Sequence, residues 1–355
     1  MNYIVLNNEK IVIDIENGLS FYKEKNNKLY PLNEKEFLYI KKLFNRDDNY
    51  FESLESSINS NKSISNISLI KVMFEFLEQN IPEEDKDNFY ENIKTLKLNF
   101  HDVDTNLAAR YDAYNNIIEI EKDKIDEINQ SLKTGNFDLQ TGINLIHELT
   151  HMASRRKEEN NFYCGFTKYP SAYESDKNDG LTEGMTELIA INAFQSNHKY
   201  MSPYYFELCF VNQLLNLVGR PILVESYFGN KGIKDLEIQL NKIIPDKDKS
   251  NLLFRLIELN FQALKLRRPQ NFAGRVQDML LDYFEAKLEY LISTKEYTKE
   301  QIEYLIYYFE NSLVKPELLH LINKDPDNYI GLIESNERFY EIVNKHNKLN
   351  RSKTL

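Results

Sequence analysis

The sequence predicts an α+β fold, mostly helical, with a small β element at its N-terminus. Three observations carry that expectation. Two short β-branched runs, NYIVL at 2–6 and IVIDI at 11–15, open the chain. Apolar residues recur at spacings of three and four over most of 200–345. Between these regions IHELTHMASR, at 146–155, sets two histidines four residues apart within a helical pattern.

The opening runs are separated by NNEK and read as a hairpin. ENG at 16–18 is a turn, and LSFY at 19–22 adds a third strand. From Asn33 onward EKEFLYIKKLF repeats apolar residues at helical spacing, and further helices are expected at 49–58, 67–79 and 83–95. Asn80-Ile81-Pro82 stops one helix and restarts the next, with Pro82 suited to a first turn. In RYDAYNNIIEI, at 110–120, Asn115-Asn116 is a turn and IIEI a short strand, followed by a charged helix over 122–132. Leu139, Ile143, Ile146, Leu149 and Met152 predict a helix over 138–156, ended by Lys157 and Glu158. The stretch NNFYCGFTKYPSAYESDKNDG reads as a long polar and aromatic loop, of the length that often carries sites. A second helix starts near Leu181, after Asp179-Gly180, and contains LTEGMTELIAINAF. Helices are then expected at 205–218, 231–244, 252–266, 278–292 and 299–312, with their apolar stripes in the core. A turn near Pro316 follows, and the terminal RSKTL is expected to fray.

Composition narrows the function classes. Charged residues make up 28% and hydrophobic ones 42%, which is the balance of a folded chain. The net charge of −11 argues against nucleic acid as a partner, because phosphate contacts need concentrated Lys or Arg. The basic spots Arg155-Arg156-Lys157 and Lys265 to Arg268 are short and read as solvated helix faces. Cys164 and Cys209 imply no disulfide framework; one bridge between them is open but unforced. No stretch reaches about 18 apolar residues, so no membrane span is expected. No basic segment followed by an apolar run opens the chain, and the default expectation is a cytoplasmic protein. Non-classical export would leave the same sequence.

The chemistry concentrates at 146–187. On a helix, His147 and His151 share a face and can point at one ion, while Glu148 lies within reach of water beside that ion. A catalytic zinc takes three protein ligands, so a third is needed. Glu183 and Glu187 in LTEGMTE are four apart and share a face: one can bind the ion, the other can orient a ligand histidine. His101, His198 and Asp179 are the competing third ligands. Gly184 is expected to allow close approach of the two motif-bearing helices. Tryptophan is absent, but 23 tyrosines leave the partner of a developing oxyanion open among Tyr173, Tyr204, Tyr205 and Tyr227.

HELTH followed by TEGMTE resembles the gluzincin group of zinc metallopeptidases, which includes thermolysin-like and aminopeptidase-like families. The match covers roughly 110–195. The resemblance implies His147, His151 and Glu183 as ligands of one zinc ion, Glu148 as general base and Glu187 as a residue supporting a histidine. It favours Tyr227, in RPILVESYFGN, as the oxyanion partner, and IIEI as an edge strand that pairs with extended substrate. It also implies a short mixed sheet packed on the active-site helix. The expected organisation is a small α+β module over 1–100, a zincin-like catalytic core over 101–198 and a helical domain over 199–355 that completes the cleft. The aminopeptidase GxMEN-like motif is missing from NFHDVDTNLAARYD, which leans toward an endopeptidase acting on a peptide or protein. A metzincin would need a further glycine and histidine where MASRRKEENN stands. Two other classes stay open: a zinc-containing binding or regulatory protein without protease activity, and a helical scaffold without metal.

Overall fold

A computed structural model describes residues 2–6, 9–14, 20–25, 28–31, 77–101, 109–134, 139–158, 161–171, 174–176, 178–193, 202–266, 272–294, 298–318 and 327–352. The helices expected from Asn33, at 49–58 and over most of 67–79 lie outside these residues. The fold is α+β and mostly helical, with small sheets on the N-terminal side of the chain. Two compact units emerge. The first comprises Met1–Cys164, Lys168–Glu174 and Ile189–Tyr200, the second Gly165–Thr167, Ser175–Leu188 and Met201–Leu355.

In the first unit, strands β1 (Asn2–Leu6), β2 (Glu9–Asp14), β3 (Ser20–Lys25) and β4 (Lys28–Pro31) form an antiparallel meander. Ile4 pairs with Ile11, Val12 with Tyr22 and Lys25 with Lys28. The expected hairpin and third strand are there. The fourth strand, KLYP, contains no β-branched residue and only Tyr30 of the strand-favouring types, too short a run for propensity to mark it. Its Pro31 is tolerated because β4 is an edge.

The second sheet is mixed. Strand β7 (Ile117–Glu121) lies between β5 (Lys97–His101), to which it is parallel, and β6 (Ala109–Asp112), to which it is antiparallel. Ile118 and Ile120 face the core fully buried, while Glu119 turns outward to Arg110 at 2.6 Å. The β6–β7 turn falls at Asn115-Asn116. Asp112 Oδ1 accepts from the backbone N–H of Tyr114 and Asn115, and Asn116 takes φ 55°, a left-handed conformation that asparagine tolerates. IIEI is therefore the central strand of its sheet, with partners on both sides, and not the edge strand that the resemblance implied.

This sheet positions the histidine-bearing helix. Helices α1 (Lys86–Thr95) and α2 (Ile125–Thr134) pack against α3 (Leu139–Ser154), as does β6. Phe89 and Ile93, four apart on α1, are fully buried. Hydrogen bonds hold the C-terminal end of α3: Asn92 Nδ2 donates to the Met152 carbonyl at 3.0 Å, and Arg155 Nε to the Ala113 carbonyl at 2.7 Å. Asn116 Nδ2 donates to the Asn92 carbonyl at 2.9 Å, so turn, α1 and α3 share one polar network.

Strand β8 (Arg156–Glu158) stands at the expected end of the preceding helix, and the stretch at 160–180 expected as a loop instead holds strands β9 (Asn161–Cys164), β10 (Thr167–Ser171) and β11 (Glu174–Asp176). They stand in the order β11-β10-β9-β8. Each is too short for alternation to be read, and Gly165, at φ 56°, turns β9 into β10. The aromatic residues serve the sheet: the Arg155 guanidinium lies 4.4 Å over the Phe162 ring and that of Arg156 4.9 Å over Tyr163.

Helix α4 (Asp179–Ala193) carries the second motif. The second unit continues with α5 (Tyr205–Val218), α6 (Arg220–Phe228), α7 (Ile233–Ile243), α8 (Lys247–Lys265), α9 (Phe272–Thr294), α10 (Lys299–Asn311) and α11 (Asp327–Ser352). Helix α9 is the hub, packing against α5, α7, α8, α10 and α11. Phe284 stacks on Phe309 at 4.3 Å between centroids and meets Phe339 at 5.5 Å. Helix α10 begins at a capping box, with Thr298 and Gln301 each accepting from the other's backbone N–H. Helix α6 was missed: it is short, and Pro221 in its first turn reads as a breaker although that position suits proline. Among the described residues no helix is long and apolar enough to cross a membrane. Cys164 and Cys209 are both free and buried, so the open bridge is not formed.

Candidate metal centre

The centre is built on a helix with little solvent on it. From Thr141 to Ser154 every side chain of α3 is buried except those of Asn144 and Glu148. His147 and His151 sit one turn apart, 4% and 8% exposed. Their Nε2 atoms are 3.1 Å apart, with ring planes at 74°. Two nitrogens bound to a tetrahedral zinc at about 2.0–2.1 Å stand about 3.3 Å from each other. The two imidazoles therefore already hold the bite of a metal. Glu183, on α4, completes a group in which one ligand atom from each residue lies within 4.8 Å of the other two. Two imidazoles and one carboxylate are a donor set of catalytic zinc sites, which keep a position open for water or substrate. The residues present fit the ion.

No family model, curated protein or solved structure matches this chain. The site thus stands on its own geometry: a triad with HExxH-like spacing and a downstream acidic ligand.

The other candidates fall into place around it. Glu148 follows His147 and is partly exposed. Glu187, one turn after Glu183, is 1% exposed. Asp179 opens α4 and is not part of the triad. His101 ends β5, whereas His198 and Tyr173 lie outside the described residues. Tyr204 precedes α5, and the Tyr205 hydroxyl accepts from the Lys315 backbone N–H at 3.0 Å. Tyr227 is fully buried, edge-on to Phe166 and Phe228. Its hydroxyl lies 2.6 Å from Thr186 Oγ1. Thr186 donates its single proton to the Thr182 carbonyl at 2.8 Å, so Tyr227 is the donor in that pair.

Gly184 does provide a close approach, but to a different helix than its position beside Glu183 suggested. A Cβ there would stand 2.5 Å from the Glu207 carbonyl oxygen and 2.9 Å from Val211, both on α5. Alanine would gain about 1 kcal/mol of helix propensity. The backbone clash opposes it at about 1–3 kcal/mol, so glycine is the stable choice. Where Glu183 sits is thus tied to α5.

The sequence gives no sign of Glu207, and it marks Cys164 only as an open bridge partner of Cys209. The Glu207 carboxyl is 1% exposed, and burial pushes its pKa up to about 7. Asn260 Nδ2, donating at 3.3 Å, pulls the pKa back, while the charge of Glu183 adds to the rise. Cys164 Sγ lies 3.3 Å from His151 Nδ1. Tyr111 lies parallel to the His151 ring, at 6.4 Å and 6°, and donates its hydroxyl to Asn116 Oδ1 at 2.8 Å. Burial raises the Tyr111 phenol well above its ordinary range, which keeps it a donor.

A second grouping of potential ligands, Glu285, Glu289 and His346, has a different character. Lys345 Nζ bonds Glu285 at 2.8 Å and Glu289 at 3.1 Å, so an ammonium already occupies the carboxylates. It is an ion-pair network between α9 and α11.

Proposed function

We propose that this chain is a zinc-dependent peptidase, acting as an endopeptidase on a peptide or protein. The observation that carries the reading is the convergence of His147, His151 and Glu183 to within 4.8 Å, with partly exposed Glu148 following the first histidine. His147, His151 and Glu183 would hold the ion. When bound, zinc supplies Lewis acidity to a carbonyl oxygen and acidifies water. Glu148 takes the proton of the attacking water and delivers it to the leaving amine. Glu187, buried one turn beyond Glu183, orients a ligand histidine in this scheme.

The test is elemental analysis of dialysed wild type and Glu183→Ala, paired with a peptide-library digest. About one zinc per wild-type chain, sharply reduced in the variant, together with internal cleavage of peptides, is the expected result. Zinc without cleavage would make the chain a binding or regulatory protein. No zinc in the wild type would leave α3 a helix with two histidines.

Tyr227 is assigned to the oxyanion on the strength of the resemblance, and that role requires its hydroxyl to exchange Thr186 for substrate. Tyr227→Phe should then lower kcat by about 10²-fold or more at unchanged KM. An unchanged kcat with a lowered melting temperature would instead leave Tyr227 as a buried partner of Thr186.

A further inference from the structure

A histidine that binds metal through Nε2 must carry its proton on Nδ1, and the group that meets Nδ1 decides this. For His151 that group includes a thiol. Cys164, the last residue of β9, is 1% exposed. Its Sγ stands 3.3 Å from His151 Nδ1 and 3.3 Å from the backbone carbonyl oxygen of the same residue. Strand β9 packs on α3, and this brings together two residues thirteen apart in sequence.

We infer that Cys164 is a positioning residue for the metal centre: its thiol clasps His151 at both ends and fixes the tautomer that presents Nε2 to the ion. The proton count carries the argument. A carbonyl oxygen only accepts, so the contact between Sγ and the His151 carbonyl uses the single thiol proton. Sulfur is then left to accept at Nδ1, which must carry hydrogen. The Nε2 lone pair consequently faces His147 Nε2, 3.1 Å away. Ser154 supports the clasp. Its Oγ donates to the same His151 carbonyl at 3.0 Å and lies 3.6 Å from Sγ. With its backbone carbonyl and ring nitrogen both tied to one sulfur, the His151 ring cannot rotate without breaking a contact. A carboxylate at this place would fix the same tautomer but bury a further charge, whereas the thiol adds none.

The inference rests on the proposed metal centre for its consequence, but the tautomer can be read without metal. In metal-free protein labelled with ¹⁵N-histidine, at pH 8, the His151 ring should show a protonated Nδ1 and an unprotonated Nε2. Loss of the signal in His151→Asn assigns it. In Cys164→Ala the ring should shift toward the Nε2–H form that free imidazole prefers. Zinc affinity, measured by competition with a chromogenic chelator, should fall about 10–100-fold in Cys164→Ala. Cys164→Ser, whose hydroxyl can also accept and donate, should recover part of it, with circular dichroism reporting that both variants are folded. A wild-type ring protonated on Nε2, or equal zinc affinity in folded Cys164→Ala, overturns the inference. If Cys164→Ala does not fold, the wild-type tautomer and the serine variant still decide. A wild type that binds no zinc but carries hydrogen on Nδ1 sinks the proposed function and leaves the clasp standing.

Discussion

Glu148→Gln should lose turnover by about 10²–10⁴-fold while keeping its metal. Glutamine has the size and hydrogen-bonding reach of glutamate but cannot take a proton from water. The side chain is partly exposed, at one of two unburied positions along 141–154, and glutamine matches its volume there. Nor is Glu148 part of the triad, whose ligand atoms come from His147, His151 and Glu183. The measurement is kcat on a peptide that the wild type cleaves, with zinc content determined on the same preparation. Full hydrolysis in the variant would remove Glu148 from the chemistry. Loss of metal together with turnover would move it into the coordination sphere and reopen the place of Glu183.

The parts of this architecture that could be read from sequence are those with local causes. Helix α3 announced itself through apolar residues at three- and four-residue intervals, and the β6–β7 turn through Asn115-Asn116. The triad was legible because helical periodicity alone puts His147 and His151 on one face, and a second helix bearing Glu183 follows within a short interval. What stayed hidden depends on contacts between segments. Strand β5 is parallel to β7, and its pairing partner lies across an intervening strand and turn. The strands of 156–176 are three to five residues long and pack aromatic rings against arginines, which in sequence resembles a polar aromatic loop. The Cys164 thiol reaches His151 only because β9 lies on α3, and no spacing rule foretells that. Gly184 was recognised as a site of close approach, yet only the folded chain identifies the approaching backbone as that of Glu207.

That same Glu207 should make stability depend on pH in a direction opposite to ordinary carboxylates. In the unfolded chain its carboxyl ionises near the usual 4.5, whereas in the fold burial holds the proton until about pH 7. Between these values the native state keeps a proton that the unfolded state has released, so stability falls as pH rises. The contribution is fully present below pH 4.5, disappears through pH 7 and then levels off. The interval corresponds to about 3 kcal/mol. Glu207→Gln keeps a neutral, hydrogen-bonding side chain opposite Asn260 at every pH, and so should not show the decline. Urea titrations of both proteins at pH 5 and pH 8, after chelation of metal, isolate the effect. The variant should be the more stable of the two by about 3 kcal/mol at pH 8, and the difference between them should shrink to about 1 kcal/mol at pH 5. Groups remote from Glu207 act on both proteins alike and cancel in that comparison, whereas Glu183 and Glu258, whose charges raise its pKa, are relieved in the variant at high pH. Identical pH dependence in wild type and variant would mean that Glu207 ionises normally, and that the site beside Glu183 is wetter than its 1% exposure indicates.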